Sequence, residues 1–486
     1  MIRPLHERGL LWLRADAAAR RSAPIEHGGA GRGSLIARAV LAALFAAAAS
    51  IQGVAPARAS SLEPQAAPAP APARLITLEE ALRSARERQP LIRQARAATA
   101  AAAARAREAQ AGLLPQVSAQ AGYQRTTANF FARPGSVPAA AGQGSGGSLR
   151  TFNFFNDSVT ANQLIYDFGQ TSGRYAAFEA SAAATADSAQ ATELQVLLSV
   201  RTAYFDAYAS RALVGVARET LSNLRLHLAQ IEGMVQVGNR PEIDLAQARS
   251  DAANAEVQLI TAENTYEISK ATLNQAMGIA GALDYDVAAD QMPAVGGESQ
   301  PVEPLLEEAV QARPEIASAR EQVRAQQLTR RSIEGAYGPS LGANAGLTQG
   351  GVSLDQYRWN LSAGLTLTWQ IYQGGLVSAQ VREAEANEGQ LVAQLDFVRE
   401  QLRLEVQQAR LAVRGALASF GAVQQALANA RVRLQLAEAR YQTGVGNAIE
   451  LGDAQVAVTA AAVQAVQAEQ RLSTARAQLL KALGRF

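Results

Sequence analysis

The amino-acid sequence predicts an internally duplicated α+β membrane protein. Each chain contributes four strands to a β-barrel completed by further copies of itself, and those strands continue into long antiparallel coiled-coil helices. Three observations predict this: the chain is written twice, its helices keep an apolar period of seven, and its clearest strand carries one oily and one polar face. A length of 486 residues would ordinarily suggest about three domains. Aromatic residues are only 5% of a chain that is 48% hydrophobic, so the apolar mass is Ala, Leu and Val, which suits closely packed helices better than a large globular core.

Residues 1–59 read as a secretory signal peptide. Arg32 and Arg38 precede an apolar stretch, Ala39 to Ile51, too short to span a bilayer, and Ala57-Arg58-Ala59 supplies an A-x-A cleavage pattern. A buried N-terminal helix is the competing reading, and segment 1–31 is compatible with a start placed too early. The leader holds eight Arg against Glu7, Asp16 and Glu26, so its removal turns a formal +2 into a net charge of about −3. The mature chain is not basic, and no nucleic-acid partner is expected. Residues 60–74, rich in Pro and Ala, read as an extended linker.

From Leu75 the sequence repeats. Gln89-Pro90-Leu91-Ile92 matches Arg313-Pro314-Glu315-Ile316 at an offset of 224, and beyond a Gly/Ser/Pro-rich stretch near 132–149 the offset falls to 206. There Ile165-Tyr166 matches Ile371-Tyr372, Gly238 matches Gly444, and Leu273 to Gly278 matches Leu479 to Gly484. Length differences of this kind belong to surface loops. The first repeat is placed at 75–285, with strands about 116–131 and 152–166 and helices about 169–236 and 241–278. A linker at 286–302 leads to the second repeat, 303–486, with strands about 340–352 and 357–372 and helices about 375–442 and 448–484.

In the second copy Val406, Val413, Phe420, Leu427, Leu434 and Tyr441 recur every seventh residue, and Ala409, Ala416, Val423, Ala430 and Ala437 follow three positions later. Beyond the turn, Leu451, Val458, Ala465, Leu472 and Leu479 continue the device. A strict period of seven is coiled-coil geometry, and the small residues let the helices approach closely. A helix from 169 to 235 would run roughly 100 Å, a length no globular core requires.

Between Trp359 and Ile371 every odd position is apolar and every even position is polar or Gly. Trp359 and Trp369 share the oily face ten residues apart, roughly 25 Å of height in a tilted strand, which is the spacing of a membrane barrel's two aromatic girdles. A soluble sandwich strand is the alternative, but the neighbouring helices offer no second sheet. Val117 to Tyr123, Val159 to Ile165 and Leu341 to Leu347 alternate more weakly. Four strands cannot close a membrane barrel, so the chain must associate with itself: two copies give eight strands and a filled interior, three give twelve and a lumen.

These segments resemble the TolC-type outer-membrane efflux protein family (outer membrane factors) over essentially all of 75–486. The resemblance is carried by LLPQVSAQAGY and GPSLGANAGL, the junctions IYDFG (165–169) and IYQGG (371–375), and the tips VGNRPEIDLAQA (237–248) and TGVGNAIELGDA (443–454). It implies a homotrimer with a twelve-stranded barrel in the outer membrane of a Gram-negative bacterium, above a long periplasmic helical tunnel. It further implies a passive exit duct for efflux or type I secretion, docked to a periplasmic adaptor (membrane fusion) protein and an inner-membrane pump of the RND or ABC type. The chain has no Cys, so unlike the lipoprotein branch it is anchored in outer-membrane lipid by its barrel alone.

At the tips, Gly238 and Gly444 end heptad helices where a left-handed C-cap is expected, and Pro241 suits the first turn of the next helix. Glu450 and Asp453 lie i, i+3 at a helix start, hence on one face, and three-fold assembly would turn them into two stacked carboxylate rings that attract cations. Favourable interaction with the helix dipole explains such acids equally well without a pore. By resemblance Glu450 and Asp453 match the family's entrance-ring positions, with Glu450 replacing the usual Asp. Tyr441 and Asp244 likewise match its entrance latch, whereas the usual Arg falls on Gly446; Arg240 is the substitute expected for it.

No cofactor, metal site or enzymatic activity is expected. The chain has three His and no Cys, and it lacks G-x-x-x-x-G-K-[ST] and H-E-x-x-H. Two non-enzymatic alternatives compete with the channel. A trimeric surface adhesin would cluster its strands at one end of the chain, whereas here strand pairs and helix pairs interleave twice. A periplasmic coiled-coil scaffold would have no use for Trp-bracketed strands.

Overall fold

A computed structural model describes residues 74–127, 151–238, 240–281, 284–353, 355–443 and 445–486. The leader, nearly all of the Pro/Ala linker, the stretch near 132–149, the expected strand end 128–131 and Gly444 lie outside the described residues.

The first repeat opens with a short strand β1 (Arg74–Ile76) and two helices, α1 (Leu78–Arg88) and α2 (Pro90–Ala111). Thr77 caps α1, its hydroxyl accepting the Glu80 N–H at 3.3 Å, and Pro90 starts α2, where a missing N–H costs nothing. Then come strands β2 (Gln116–Thr127) and β3 (Thr151–Tyr166), the 67-residue helix α3 (Gln170–Gln236), helix α4 (Glu242–Met277) and strand β4 (Tyr285–Val287). The second repeat supplies α5 (Val302–Ala312), α6 (Pro314–Glu334), β5 (Ser340–Gly351), β6 (Arg358–Thr368), the 67-residue α7 (Leu376–Gln442) and α8 (Ala448–Ala482).

The heptad seams bury as their spacing demands. Val406, Val413, Leu427 and Tyr441 are buried on α7, and Leu451, Ala454, Ala461, Ala465, Ala468, Leu472, Ala475 and Leu479 on α8. In the first repeat Val200, Ala207, Val214 and Leu221 face Ala252, Tyr266 and Leu273. Helix α3 also contacts α2, α6 and α8, so it buries Tyr204 and Phe205 in addition to its seam.

One antiparallel sheet runs in the order β2-β3-β5-β6, so the two hairpins join through β3 and β5. Register aligns Ala119, Val159, Leu347 and Leu361 in one row and Val117, Ala161, Ala345 and Ala363 in the next, a continuous apolar face. The opposite face carries Ser118, Thr160, Gly346 and Ser362. The hairpins are copies at residue level: Gln116 opposes Asn162 as Ser340 opposes Thr368, each pair related by the 224 and 206 offsets. The alternation expected up to Ile165 breaks at an irregularity between Leu164 and Tyr166.

Two stretches differ from their sequence expectation. Strand β6 stops at Thr368, although 357–372 was expected and is also what β3 becomes when shifted by 206. In β3 the last residues, Gln163 to Tyr166, pair only with β5, while residues 369–372 have no neighbour to pair with in the single chain. The stretch 286–302, expected as a linker, begins inside β4, which pairs in parallel with β1, and its Met292 and Val295 are buried. A strand of three residues is too short to show a period in sequence.

The strand-to-helix junctions share a backbone. Gly169 and Gly375 have φ of 85° and 82°, and the residues before them, Phe168 and Gly374, have φ of 55° and 61°. A left-handed Phe is unusual and is held here by packing: its ring lies 4.9 Å from that of Tyr166 and against Gly338, where a Cβ would overlap it. Among the described residues no helix is long and apolar enough to cross a membrane.

Candidate functional site

The two helical hairpins, α3–α4 and α7–α8, end in the tips that carry the candidate entrance residues. In the first tip Gly238 adopts φ 75° and its N–H donates to the Val235 carbonyl at 2.9 Å, closing the end of α3. Pro241 stands at the N-cap rather than in the first turn, its carbonyl accepting the Asp244 N–H at 3.1 Å. Asp244 pairs with Arg240 at 3.5 Å, and the Arg240 guanidinium lies 4.9 Å from the centre of the Tyr441 ring. Arg240 thus links the first hairpin to the second, bringing Asp244 and Tyr441 into one cluster.

Tyr441 is 6% exposed and packs with Ala437, Leu451 and Ala454. It enters the cluster through its ring: its hydroxyl is buried and has no hydrogen-bond partner among the described residues. His227 lies against the same ring, edge-on, with centroids 5.6 Å apart. Burial pushes the imidazole below its ordinary pKa, with Asp251 opposing and Arg240 adding to the shift, so His227 is neutral at pH 7. An uncharged ring beside Arg240 adds no repulsion to the stack. Sequence placed His227 only beside a seam residue; its position about three turns from the tip was the available signal.

The second tip departs further from expectation. Gly446 sits on the end of α7, its N–H donating to the Arg440 carbonyl at 2.9 Å, as the Val445 N–H does at 3.0 Å. A Cβ on Gly446 would lie 3.1 Å from the Arg440 carbonyl carbon and Cβ and from the Tyr441 nitrogen, a tight contact that a few tenths of an ångström of give would relieve. Asn447 caps α8 by accepting the Glu450 N–H at 2.7 Å. Glu450 is paired: Arg440 Nη1 donates to its Oε1 at 2.9 Å across the tip. Asp453, one turn further, is exposed. Sequence reasoning passed over Arg440. Its mark was a cation in the last turn of one helix facing an acid in the first turn of the next.

At the other end of the helices, Trp359 and Trp369 stand exposed with Leu361, Leu365 and Leu367. Trp359 is within β6, and Trp369 lies one residue beyond it, its indole N–H donating to the Tyr337 carbonyl at 3.1 Å. Ile371 and Tyr372, in the unpaired stretch that follows, are 81% and 89% exposed.

Comparison with known proteins identifies the family. The family model for outer membrane efflux proteins matches residues 81–279 and 305–485. The outer membrane efflux protein BepC of Brucella suis is 26% identical over 68% of this chain and 72% of its own. The outer membrane protein TolC of Escherichia coli is 25% identical over 82% of this chain and 79% of its own. The CmeC outer membrane channel of Campylobacter jejuni, 18% identical, superposes with a TM-score of 0.72 over 84% of this chain and 85% of its own, a likeness of fold.

Proposed function

The chain belongs to the outer membrane efflux protein family, and from that premise we propose that three copies close a barrel in the outer membrane and form the passive exit duct of a tripartite efflux or type I secretion system. Its partners are a periplasmic adaptor and an inner-membrane pump of the RND or ABC type. The supporting observation is the unfinished sheet. Four strands leave β2 and β6 as free edges, which lipid does not tolerate, and β6 lacks the last turn of pairing that β3 receives from β5.

The duplication supplies the missing partner. Moving the β3–β5 register by the two offsets pairs β6 with β2 of the next copy: Leu365 opposite Tyr123, Leu367 opposite Ala121, and Trp369 opposite Ala119. Repeating that step three times gives about twelve strands with a lumen, lined by the polar face and wrapped by the apolar one. The continuous helices carry the lumen into the periplasm, and the tips form its entrance. There Asp453 and Glu450 ring the mouth, and Arg240, Asp244 and Tyr441 latch the two hairpins.

The chain has no Cys, so cross-linking has no background. Leu365→Cys with Tyr123→Cys should give covalent trimers in outer membranes under mild oxidation, and Leu365→Cys with Ala119→Cys, out of register, should not. A ladder ending at dimers, or equal cross-linking of both pairs, would refute the barrel. Purified trimers should also conduct ions in planar bilayers.

A further inference from the structure

We propose that Arg440 sets the charge of the duct entrance by neutralising Glu450, so that of the two acids on the entrance face of α8 only Asp453 is left uncompensated. The proposal rests on the reading of the tips as a pore entrance and adds to it a residue that decides ion preference.

The ion pair is built into the tip. The Arg440 carbonyl accepts the N–H groups of Val445 and Gly446 and the Thr443 hydroxyl, at 3.0, 2.9 and 3.1 Å, which fixes the backbone from which the guanidinium springs. Asn447 fixes the start of α8, and with it the Cα of Glu450. Each charge also sits where its own helix favours it, the cation in the last turn of α7 and the anion in the first turn of α8. The 2.9 Å bond therefore spans two side chains whose backbone origins are fixed.

Gly446 seats closely on Arg440: a Cβ at 446 would meet the Arg440 carbonyl carbon and Cβ at 3.1 Å, and the glycine brings no charge of its own to the tip. The other cation in the cluster, Arg240, is committed to Asp244 and the Tyr441 ring. Asp453 is the acid that remains exposed on the same face of α8.

Charge arithmetic gives the test. Arg440→Gln leaves Glu450 uncompensated and adds one negative charge per copy, Glu450→Gln leaves Arg440 uncompensated and adds one positive charge, and the double variant restores the wild-type sum. Trimers of the full chain are reconstituted in planar bilayers, and reversal potentials are read across a potassium chloride gradient with hexamminecobalt(III) as blocker.

Arg440→Gln should raise cation preference and lower the half-blocking concentration roughly tenfold. Glu450→Gln should shift both the other way, and Arg440→Gln with Glu450→Gln should return both toward wild type. Asp453→Asn separates the two readings. If it abolishes block while Arg440→Gln changes nothing, the entrance stands and the role of Arg440 falls; if neither substitution alters selectivity, both fall. Failure of the double variant to return toward wild type would also overturn the proposal, because it restores the wild-type sum of charges at the tip.

Discussion

The two repeats close the same joint with different chemistry. In each, the residue between the two short helices reaches the end of that repeat's last helix: Gln89 Nε2 donates to the carbonyls of Gln275 and Ala276 at 3.0 and 2.8 Å, and Arg313 Nη1 to that of Lys481 at 2.8 Å. Each last helix also ends on a left-handed glycine, Gly278 or Gly484, both with φ 71°. Around this shared frame the first repeat places tyrosine hydroxyls. Tyr204 donates to Asp290 at 2.9 Å, Tyr266 to Asp286 at 2.9 Å and Tyr285 to Asn274 at 2.8 Å, beneath the β1–β4 pair. The second repeat places a denser set of ion pairs, where the first has Lys270–Glu267, Arg211–Asp286 and Arg86–Glu193. Arg313, 5% exposed, meets Glu315 and Glu405; Lys481 reaches Glu405 at 2.7 Å; Arg476 grips Glu298, and Arg485 grips Glu308. Backbone geometry is thus what the duplication preserved, while the side chains that reinforce it diverged.

The largest expected effect tests the shared glycine. A Cβ on Gly278 would sit 2.7 Å from Gln89 Cα and 2.9 Å from the Arg88 carbonyl carbon, whereas at Gly484 the nearest atom, in Ala312, is 3.1 Å away. Gly278→Ala should cost more than about 3 kcal/mol, and Gly484→Ala about 1–2 kcal/mol, mostly the left-handed strain. Thermal unfolding of purified trimers checks this; equal losses would mean that the joints differ less than their contacts indicate.

The next effect separates ion from amide. Arg313→Ala removes a buried cation and leaves Glu315 and Glu405 short of a partner, an expected loss of about 3 kcal/mol. Gln89→Ala removes two neutral bonds, an expected loss of about 1–2 kcal/mol. Urea midpoints of the two variants measure the gap, and reversal of their order would undo the contrast.

The smallest effect is pH dependence, with opposite signs in the two repeats. Burial alone would raise the Glu405 carboxyl, but Lys481 and Arg313 hold it below the ordinary range; Arg485 does the same for Glu308. Their stabilisation is complete above the ordinary carboxylate pKa and is lost as pH falls through the depressed values. Burial pushes Tyr266 and Tyr285 up to about 12, so their contribution is complete below the ordinary tyrosine pKa of about 10 and is lost as pH rises toward 12. Acid should therefore loosen the second repeat first and alkali the first. Proteolysis mapped by mass spectrometry, with pepsin below pH 4 and subtilisin above pH 10, would show cuts in the opposite repeats if the contrast is wrong.

Much of the architecture can be read from residues alone, because long periodic elements repeat their signal. Val406, Val413, Leu427 and Tyr441 announce a seam by spacing and are buried in it. The odd positions from Trp359 to Leu367 announce one face of a strand, and β6 presents it. What could not be read depends on single contacts. The strand Tyr285–Val287 is too short for a period, and Phe168 takes a backbone conformation its residue type disfavours because Tyr166 and Gly338 hold it there. At the tips, sequence brought Arg240, Asp244 and Tyr441 into one group, which the fold joins through the Arg240 guanidinium. It could not reveal that Glu450 answers to Arg440, since that pairing depends on the path of a turn rather than on spacing along one helix.

The β3–β5 pair has a consequence for how the ring is built in time. It joins the two repeats inside one chain, so half of the seams of the proposed ring close at a rate independent of protein concentration. The other half wait for collisions, with β2 and β6 exposed as sticky ends in the meantime. Dilution should slow the second kind and leave the first untouched. Duplication has in this way converted half of an assembly problem into a folding problem.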